Sequence, residues 1–330
     1  MNLDAFLATE RSTCMQGRQL VSVFERVNVT PDTEEWMEER RKSVGASEVA
    51  AVMRMSNWNT PLDVYRSKHG VDREFDPLLA FIGHESEVII ANWVNRFSGI
   101  DVELLPAFMA RSTVEPFLHA SFDRVSEDPF TTWQFKTAHQ YTGHQWDEGV
   151  PTDIRVQVQA EMFVAGTQRA AVVVWIGGRE FRLFWEPRDE RFIQEQMLPA
   201  IAEFRRRVEE SDPPEPSTLA EHAEMYPSEA REIEASETAM EAVDRRAVLL
   251  SDIQSMQEEA DALRLVIANY MEDADTLTFQ GRRILTHKTQ KGRVGFDQKR
   301  FAVEHPDLAA EYTTQGQPFK VMRSIKEKSK

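Results

Sequence analysis

Cysteine is almost absent from this sequence, since Cys14 is the only one among 330 residues. A single thiol excludes an internal disulfide, a zinc site built from several thiolates and a cysteine-ligated iron–sulfur cluster. The same scarcity suits the reducing interior of a cell, so we expect a cytoplasmic protein.

Long apolar runs are also missing. No stretch approaches the eighteen or so apolar residues that a membrane-spanning helix needs, although hydrophobic residues make up 41% of the chain. The N-terminus has no basic segment followed by an apolar run, so the sequence predicts neither a secretory signal nor a membrane partner.

Basic residues are the third shortage. The chain has 39 Lys and Arg against 55 Asp and Glu, which gives a net charge of −16. This balance argues against a non-specific nucleic-acid coat, because affinity for phosphates comes largely from Lys and Arg. It does not exclude a nuclease, which needs only a local basic groove beside a carboxylate-rich metal site.

The order of periodic segments predicts a mixed α/β core over residues 35–212. Helical spacing marks residues 36–41, 47–53, 61–69, 83–97, 153–166 and 189–210, whereas β-branched and aromatic residues mark strands at 102–110, 118–125, 132–137, 170–176 and 180–185. Gly177-Gly178 predicts a hairpin between the last two strands. We therefore expect a central mixed sheet flanked by helices.

The flanking regions are interpreted separately. Residues 1–34 are expected to form a loose strand or arm, and the proline-rich stretch that opens residues 213–235 predicts a linker. Residues 236–271 predict a long helix, or a helical hairpin or short coiled coil, before a small hairpin and a basic tail. Residues 236–330 are thus expected to form a separate C-terminal module.

One pattern carries chemistry on its own. Asp123 lies near the end of one predicted strand, and Gln134-Phe135-Lys136 lies in the next. Alternation along a strand points residues 134 and 136 to one face, towards the neighbouring strand. Such a group can hold Mg²⁺ or Mn²⁺ through two side chains and the Phe135 carbonyl, with a lysine beside the phosphate. Taken alone, this spacing arises often by chance.

Five segments in order make the pattern specific. They are Trp36-Met37-Glu38-Glu39-Arg40, Val44-Gly45-Ala46-Ser47-Glu48-Val49, Gly83-His84-Glu85-Ser86-Glu87, the pair Asp123 with Gln134-Phe135-Lys136, and residues 151–162 with Gln157-Val158-Gln159. Their order and spacing resemble the YqaJ-type viral recombinase and lambda exonuclease family, within the PD-(D/E)xK nuclease superfamily. The resemblance implies a restriction-endonuclease-like core and also extends to the C-terminal module.

The resemblance implies a role for each matched residue. Asp123, the residue at position 134, the Phe135 carbonyl and Glu87 correspond to the metal site, which holds one or two Mg²⁺ or Mn²⁺ ions. Lys136 corresponds to the catalytic lysine, and Glu87 and Gln159 to further active-site residues.

Arg40 and Ser47 correspond to the positions that hold the 5′-phosphate, with Gln157 as an additional DNA-binding candidate. A guanidinium can grip a phosphate through two hydrogen bonds, and Ser47 lies at a predicted helix start, where backbone N–H groups favour an anion.

The resemblance also implies an activity and its partners. The expected function is a Mg²⁺-dependent 5′→3′ exonuclease on double-stranded DNA ends, which leaves 3′ single-stranded tails for phage-type recombination. A ring-like homo-oligomer, trimeric in lambda exonuclease, and a single-strand annealing protein are the implied partners. The expected setting is the cytoplasm of a bacterial host, with a phage or prophage origin.

Gln134 departs from the family's Glu-x-Lys, and three interpretations remain open. Asp123, Glu87 and other acids could hold the metal in a natural variant, or the protein could bind DNA without cutting it. Alternatively, the glutamine could be an inactivating substitution, an interpretation favoured by the near-isosteric exchange. The rival function is accordingly a non-catalytic DNA-binding or interaction protein on the nuclease fold. A Cas4-like nuclease is excluded because one cysteine cannot ligate its cluster.

Overall fold

A computed structural model describes residues 23–31, 33–72, 76–127, 130–229, 231–292, 294–314, 316 and 320–323. Most of the predicted N-terminal arm, residues 1–22, and the end of the basic tail lie outside these ranges. The chain forms two compact units, Met1–Met225 and Tyr226–Lys330. The domain boundaries predicted from the sequence stay predictions. In the described ranges, no helix is both long and apolar enough to cross a bilayer.

Helix starts in the first unit follow local capping signals. Helix α1 (Glu34–Arg41) begins where the Thr33 side chain accepts a hydrogen bond from the backbone of Trp36. After α2 (Ala46–Val52), α3 (Pro61–Lys68) opens on a reciprocal Thr60–Asp63 capping box. Helix α4 (Pro77–Phe97) starts earlier than the predicted residue 83, because Asp76 caps it and Pro77 occupies its first turn.

The strands form two sheets in the first unit. The strand bounds are β1 Phe24–Val27, β2 Val44–Gly45, β3 Leu104–Leu105, β4 Phe108–Ser112, β5 Leu118–Phe122, β6 Arg124–Ser126, β7 Thr131–Ala138, β8 Arg169–Ile176 and β9 Glu180–Pro187. The smaller sheet has the order β1-β4-β5-β2, and the larger has the order β3-β6-β7-β8-β9. Both sheets mix parallel and antiparallel pairs, so the predicted fold class is confirmed.

Two predicted strands are broken in the structure. Residues 102–110 divide into β3 and β4, and residues 118–125 divide into β5 and β6. The second break falls at Asp123, where the chain bends and passes from the smaller sheet to the larger one. The predicted hairpin between β8 and β9 is present, and Gly177 and Gly178 turn it with φ angles of +58° and +72°.

Helix α5 (Thr152–Ala165) lies between the two sheets and connects the parallel pair β7 and β8. Its Val156 and Ala160 pack in the core that includes the smaller sheet, whereas Val158 and Met162 pack in the core that includes β8. All its residues from 156 to 165 are buried, so α5 has little freedom to move against β7.

The opposite face of β7 is apolar and is covered by α4. Trp133 and Phe135 pack with Ile90 and Val94 of that helix. Side chains alternate along a strand, so Gln134 and Lys136 point away from α4 towards α5. This alternation fixes which β7 residues can meet the α5 side chains.

The predicted helix over residues 189–210 is interrupted. Helix α6 (Glu190–Phe192) passes through a π-helical turn at Ile193–Met197 into α7 (Leu198–Glu209). Pro199 lies in the first turn of α7 and lacks the N–H that a continuous α-helix would use. Helix α8 (Leu219–Met225) ends the first unit.

The second unit begins its regular structure with one long helix, α9 (Glu237–Met271), capped by Ser236. The helix is a single 35-residue element, so the alternative of a helical hairpin is wrong. Strands β10 (Thr276–Phe279) and β11 (Arg282–Thr286) form the predicted small hairpin. Helices α10 (Gln298–Glu304) and α11 (Pro306–Tyr312) follow.

Candidate active site

A cleft of about 1030 Å³ in the first unit gathers most of the predicted site residues. Its lining includes Arg40 and Ser47 from the α1–α2 region, Glu87 from α4, and Asp123, Gln134, Phe135 and Lys136 from the sheet. These residues are up to 96 positions apart, and the fold alone brings them together. Gln157 and Gln159 are not among the lining residues.

Asp123 occupies the bend between β5 and β6, and its carboxylate is fixed by β7. Oδ2 accepts a 2.7 Å hydrogen bond from the Phe135 backbone N–H and a 2.6 Å bond from Gln134 Nε2. Burial raises the pKa of Asp123, and the positive charge of Lys136 lowers it by a smaller amount. The Phe135 group that contacts Asp123 is thus its N–H, while its carbonyl lies 3.4 Å from Gln134 Nε2.

The side chains of β7 and α5 form a continuous polar network. Lys136 Nζ donates to Gln157 Oε1 at 3.1 Å, and Gln157 Nε2 donates to Gln134 Oε1 at 3.0 Å. Gln157 is 8% exposed, and its amide group forms hydrogen bonds with other protein side chains. The structure therefore places Gln157 behind the cleft, bonded to Lys136 and Gln134, and its suggested role in DNA binding stays a prediction.

Glu161 belongs to this network and was missed by the sequence analysis. Its side chain is 1% exposed, and Oε1 accepts a 2.8 Å hydrogen bond from Gln157 Nε2. Burial, followed by the nearby charge of Asp123, raises the pKa of Glu161 to about 8. The available signal was an acidic residue four positions after Gln157, on the same helix face and inside an otherwise apolar stretch.

The structure does not bring Gln159 to the hydrogen-bonded network around Asp123, and its active-site role stays a prediction. Its Nε2 donates to the Pro187 carbonyl at 2.8 Å, and its Oε1 accepts a 2.8 Å bond from the Asp189 N–H. Two residues along a helix correspond to about 200° of rotation, so Gln159 and Gln157 point in nearly opposite directions. Gln159 instead ties α5 to the chain that follows β9.

Glu87 stands somewhat apart from the Asp123 network. It lines the cleft from α4, and its carboxylate lies 3.6 Å from Arg124 Nη1. Within the described ranges, no three or more His, Cys, Asp or Glu side chains cluster closely enough to hold a metal ion.

The other end of the cleft presents a fixed arginine. The Arg40 guanidinium lies over the Trp36 ring at 4.7 Å and 3.8 Å from Glu48. Stacking on an aromatic ring restricts the plane in which a guanidinium can bind an anion. Ser47 is exposed beside it, in the first turn of α2.

Two residues behind Arg40 were also missed. The Lys68 side chain is fully buried, and its Nζ donates to Glu48 at 2.6 Å and to the Arg40 carbonyl at 2.9 Å. Burial lowers the pKa of Lys68, and the Glu48 charge opposes that shift. Glu48 also accepts a 2.7 Å bond from the Gly45 N–H. This network holds the strand–helix segment that carries Ser47.

The fold and the site together define a class. The mixed sheets, their flanking helices and the neighbouring segments that carry Asp123, Gln134 and Lys136 form a mixed α/β domain with a polar site beside strand β7. Residues 35–168 match the family model of the YqaJ-like viral recombinase domain. This match agrees with the resemblance found in the sequence.

The chain is also similar to individual proteins. It is 27% identical over 255 residues to the uncharacterized protein YqaJ of Bacillus subtilis (strain 168), a match that covers 73% of this chain and 79% of that protein.

Among solved structures, the alkaline exonuclease LHK-Exo of Laribacter hongkongensis is 18% identical, with a TM-score of 0.45 over 54% of this chain and 94% of LHK-Exo. A phage-related exonuclease of Haemophilus somnus 129PT is 11% identical, with a TM-score of 0.40 over 52% of this chain and 96% of that chain. At these values the structural likeness assigns no residue a role.

Proposed function

We propose that this chain is a metal-dependent deoxyribonuclease that degrades double-stranded DNA from its 5′ ends. The observation that carries the proposal is the single cleft that joins Arg40 and Ser47 to Asp123, Gln134 and Lys136. A phosphate-binding end and an acidic, lysine-bearing end in one cleft suit a phosphodiester. The match to the YqaJ-like viral recombinase domain agrees with this assignment.

The donor chemistry around Asp123 fits a hard divalent cation. Its candidate oxygen ligands are the Asp123 carboxylate and the Phe135 carbonyl, with Glu87 on the cleft wall. Gln134 has its Nε2 towards Asp123 and its Oε1 towards Gln157, so its amide would have to turn to offer an oxygen ligand. Mg²⁺ and Mn²⁺ prefer such ligands and retain several waters, so one or two ions need few protein groups. When bound, such an ion polarises the phosphodiester and acidifies a water molecule.

Lys136 contributes a cation beside the acids. Its ammonium is held by Gln157 Oε1 at 3.1 Å, which leaves further N–H groups for a phosphate oxygen or the attacking water. Fixed positive charge at this point stabilises the negative charge that grows on the phosphate during hydrolysis. Gln157 therefore positions the catalytic lysine.

Arg40 supplies the 5′ end preference in this proposal. Its guanidinium is restrained by Trp36 below and Glu48 beside it, and 20% of the side chain is exposed. A guanidinium binds a terminal phosphate through two parallel hydrogen bonds, and the exposed Ser47 hydroxyl adds another donor. When Arg40 and Ser47 hold the 5′-phosphate, the scissile phosphodiester of the same strand can lie at the end of the cleft that contains Asp123.

A second candidate function is DNA binding without cleavage. The observation that favours it is Gln134, whose amide donates to Asp123 where the family has a carboxylate. One negative charge fewer weakens the hold on a hard cation. Digestion of DNA distinguishes the two functions.

The test is digestion of linear duplex DNA, with and without a 5′-phosphate, in Mg²⁺ or Mn²⁺ and in EDTA. We expect metal-dependent shortening from 5′ ends, faster on phosphorylated ends, and 3′ single-stranded tails as product. Arg40→Ala should abolish the preference for phosphorylated ends. Arg191→Ala, at an exposed helix arginine paired with Glu195, is the matched control and should keep it. DNA binding without any cleavage would support the second candidate instead.

Assembly and partners are also proposed by family resemblance. We infer a ring-like homo-oligomer, trimeric as in lambda exonuclease, that encloses duplex DNA, with a single-strand annealing protein as its partner. The setting would be phage-type recombination in the bacterial cytoplasm. The mass of the assembly in solution tests the ring directly.

A further inference from the structure

The carboxylate that position 134 lacks has a counterpart on the neighbouring helix. Gln157 Nε2 donates both to Gln134 Oε1 at 3.0 Å and to Glu161 Oε1 at 2.8 Å. One amide group thus joins the strand position and the helix carboxylate. Glu161 is also close enough to Asp123 and Lys136 for both charges to act on it.

Glu161 is an unusual residue to find at this depth. Only 1% of it is exposed, and no Lys, Arg or His in the described ranges lies within ion-pair distance of its carboxylate. Burial of a carboxylate without a paired cation costs several kcal/mol. Packing alone does not account for such a residue, because an apolar side chain would fill the same space without that cost.

We propose that Glu161 supplies the second carboxylate of the metal site, in place of the glutamate of Glu-x-Lys. Asp123 and Glu161 then provide two negative charges beside Lys136, the same charge that an aspartate and a Glu-x-Lys provide. The inference rests on the proposed metal-dependent nuclease and deepens its metal site.

The surroundings of Gln134 suit an amide better than a carboxylate. Its Nε2 donates to Asp123 at 2.6 Å, and its Oε1 accepts from Gln157. A glutamate there would place a third carboxylate within hydrogen-bond distance of Asp123, in a buried site that already contains Glu161. Like charges so placed repel each other. Gln134 is therefore the residue to which this site is adapted, which favours the natural-variant interpretation over an inactivating substitution.

The experiment measures binding of Mn²⁺ alone, by calorimetry, to the full-length chain and three variants. Glu161→Gln should weaken Mn²⁺ binding on the order of 10–100-fold. The exchange variant Gln134→Glu/Glu161→Gln returns the carboxylate to the strand and should recover most of that affinity. Glu221→Gln is the matched control, because Glu221 is also buried but bonds to Thr60 and Ser217 and lies outside the cleft lining. Unlike Glu161, which Gln157 connects to Gln134, Glu221 has no hydrogen bond to the Asp123 network among the described contacts, so Glu221→Gln should bind Mn²⁺ as the unchanged chain does.

The outcomes distinguish the Glu161 inference from the nuclease proposal. If Glu161→Gln binds Mn²⁺ as tightly as the unchanged chain, the inference is overturned while the nuclease proposal stands. If the unchanged chain binds no Mn²⁺, both fall together. If binding depends on Glu161 but DNA is never cut, the inference holds and the nuclease proposal fails. Unfolding in EDTA shows whether each variant is folded. Glu161→Gln should change stability little there near pH 7, because burial raises the pKa of Glu161 to about 8 and the carboxyl is already mostly neutral.

Discussion

Replacement of Lys68 by methionine tests the network behind Arg40. The Lys68 side chain is fully buried, and its ammonium donates to Glu48 and to the Arg40 carbonyl. Methionine has a similar length and no charge, so the core stays filled while Glu48 loses its close partner. Removal of one member of a buried ion pair costs about 3–5 kcal/mol. We expect Lys68→Met to destabilise the first unit by that amount.

The double variant Lys68→Met/Glu48→Gln tests whether the loss of stability comes from leaving the Glu48 charge buried without its partner. Burial lowers the pKa of Lys68 in spite of Glu48, so desolvation outweighs the attraction between them. Replacement of both charges should therefore recover all but about 1–2 kcal/mol of the loss. A glutamine in place of Glu48 retains a side-chain oxygen that can accept the hydrogen bond from the Gly45 N–H.

The assay is urea unfolding followed by tryptophan fluorescence. All seven tryptophans lie before residue 226, so the signal reports the first unit alone. Lys42→Met, at a lysine that is 58% exposed and paired with Glu39, is the control and should change stability by less than about 0.5 kcal/mol. A loss below about 1 kcal/mol for Lys68→Met, or additive losses in the double variant, would refute the reasoning.

Two further predictions concern residues outside the cleft. His119 is fully buried, and burial, with the nearby positive charges, lowers its pKa well below 6.5. The unfolded chain therefore binds a proton that the folded chain does not, and stability should fall below pH 6.5 by up to about 1.4 kcal/mol per pH unit. His119→Asn should reduce this slope in unfolding measured from pH 7 to 5, and an unchanged slope would contradict it. Gln159→Ala should cost about 1–3 kcal/mol, because it leaves the Asp189 N–H and the Pro187 carbonyl unpaired, yet leave Mn²⁺ affinity unchanged.

Most of the secondary structure could be predicted from the sequence because its signals are local. The capped starts of α1 and α3, the Gly177-Gly178 hairpin and the long helix α9 depend on neighbours a few residues away. The boundaries that were wrong have causes of their own. Pro199 accompanies the break in one predicted helix, and Asp76 starts α4 before its periodic apolar residues.

The part of the site around Asp123 could be predicted only partly from local sequence signals. Asp123, Gln134 and Lys136 could be chosen because strand alternation and the ordered motifs point to them. The break at Asp123 could not be predicted, because the partner of its carboxylate there is the Phe135 N–H on strand β7, twelve residues further along the chain. Lys68 and Glu48 are an ordinary lysine and glutamate in sequence, and their burial follows from packing of α3 on α2.

The sequence by itself determined the fold class, the family resemblance and the strand that carries Gln134 and Lys136. Only the tertiary structure decided which glutamine of α5 meets that strand and that Glu161 lies beside it. The rotation of a helix that is buried on several sides depends on contacts with both sheets at once. No pattern within residues 152–165 contains that information, because the sheets that set it lie elsewhere in the chain.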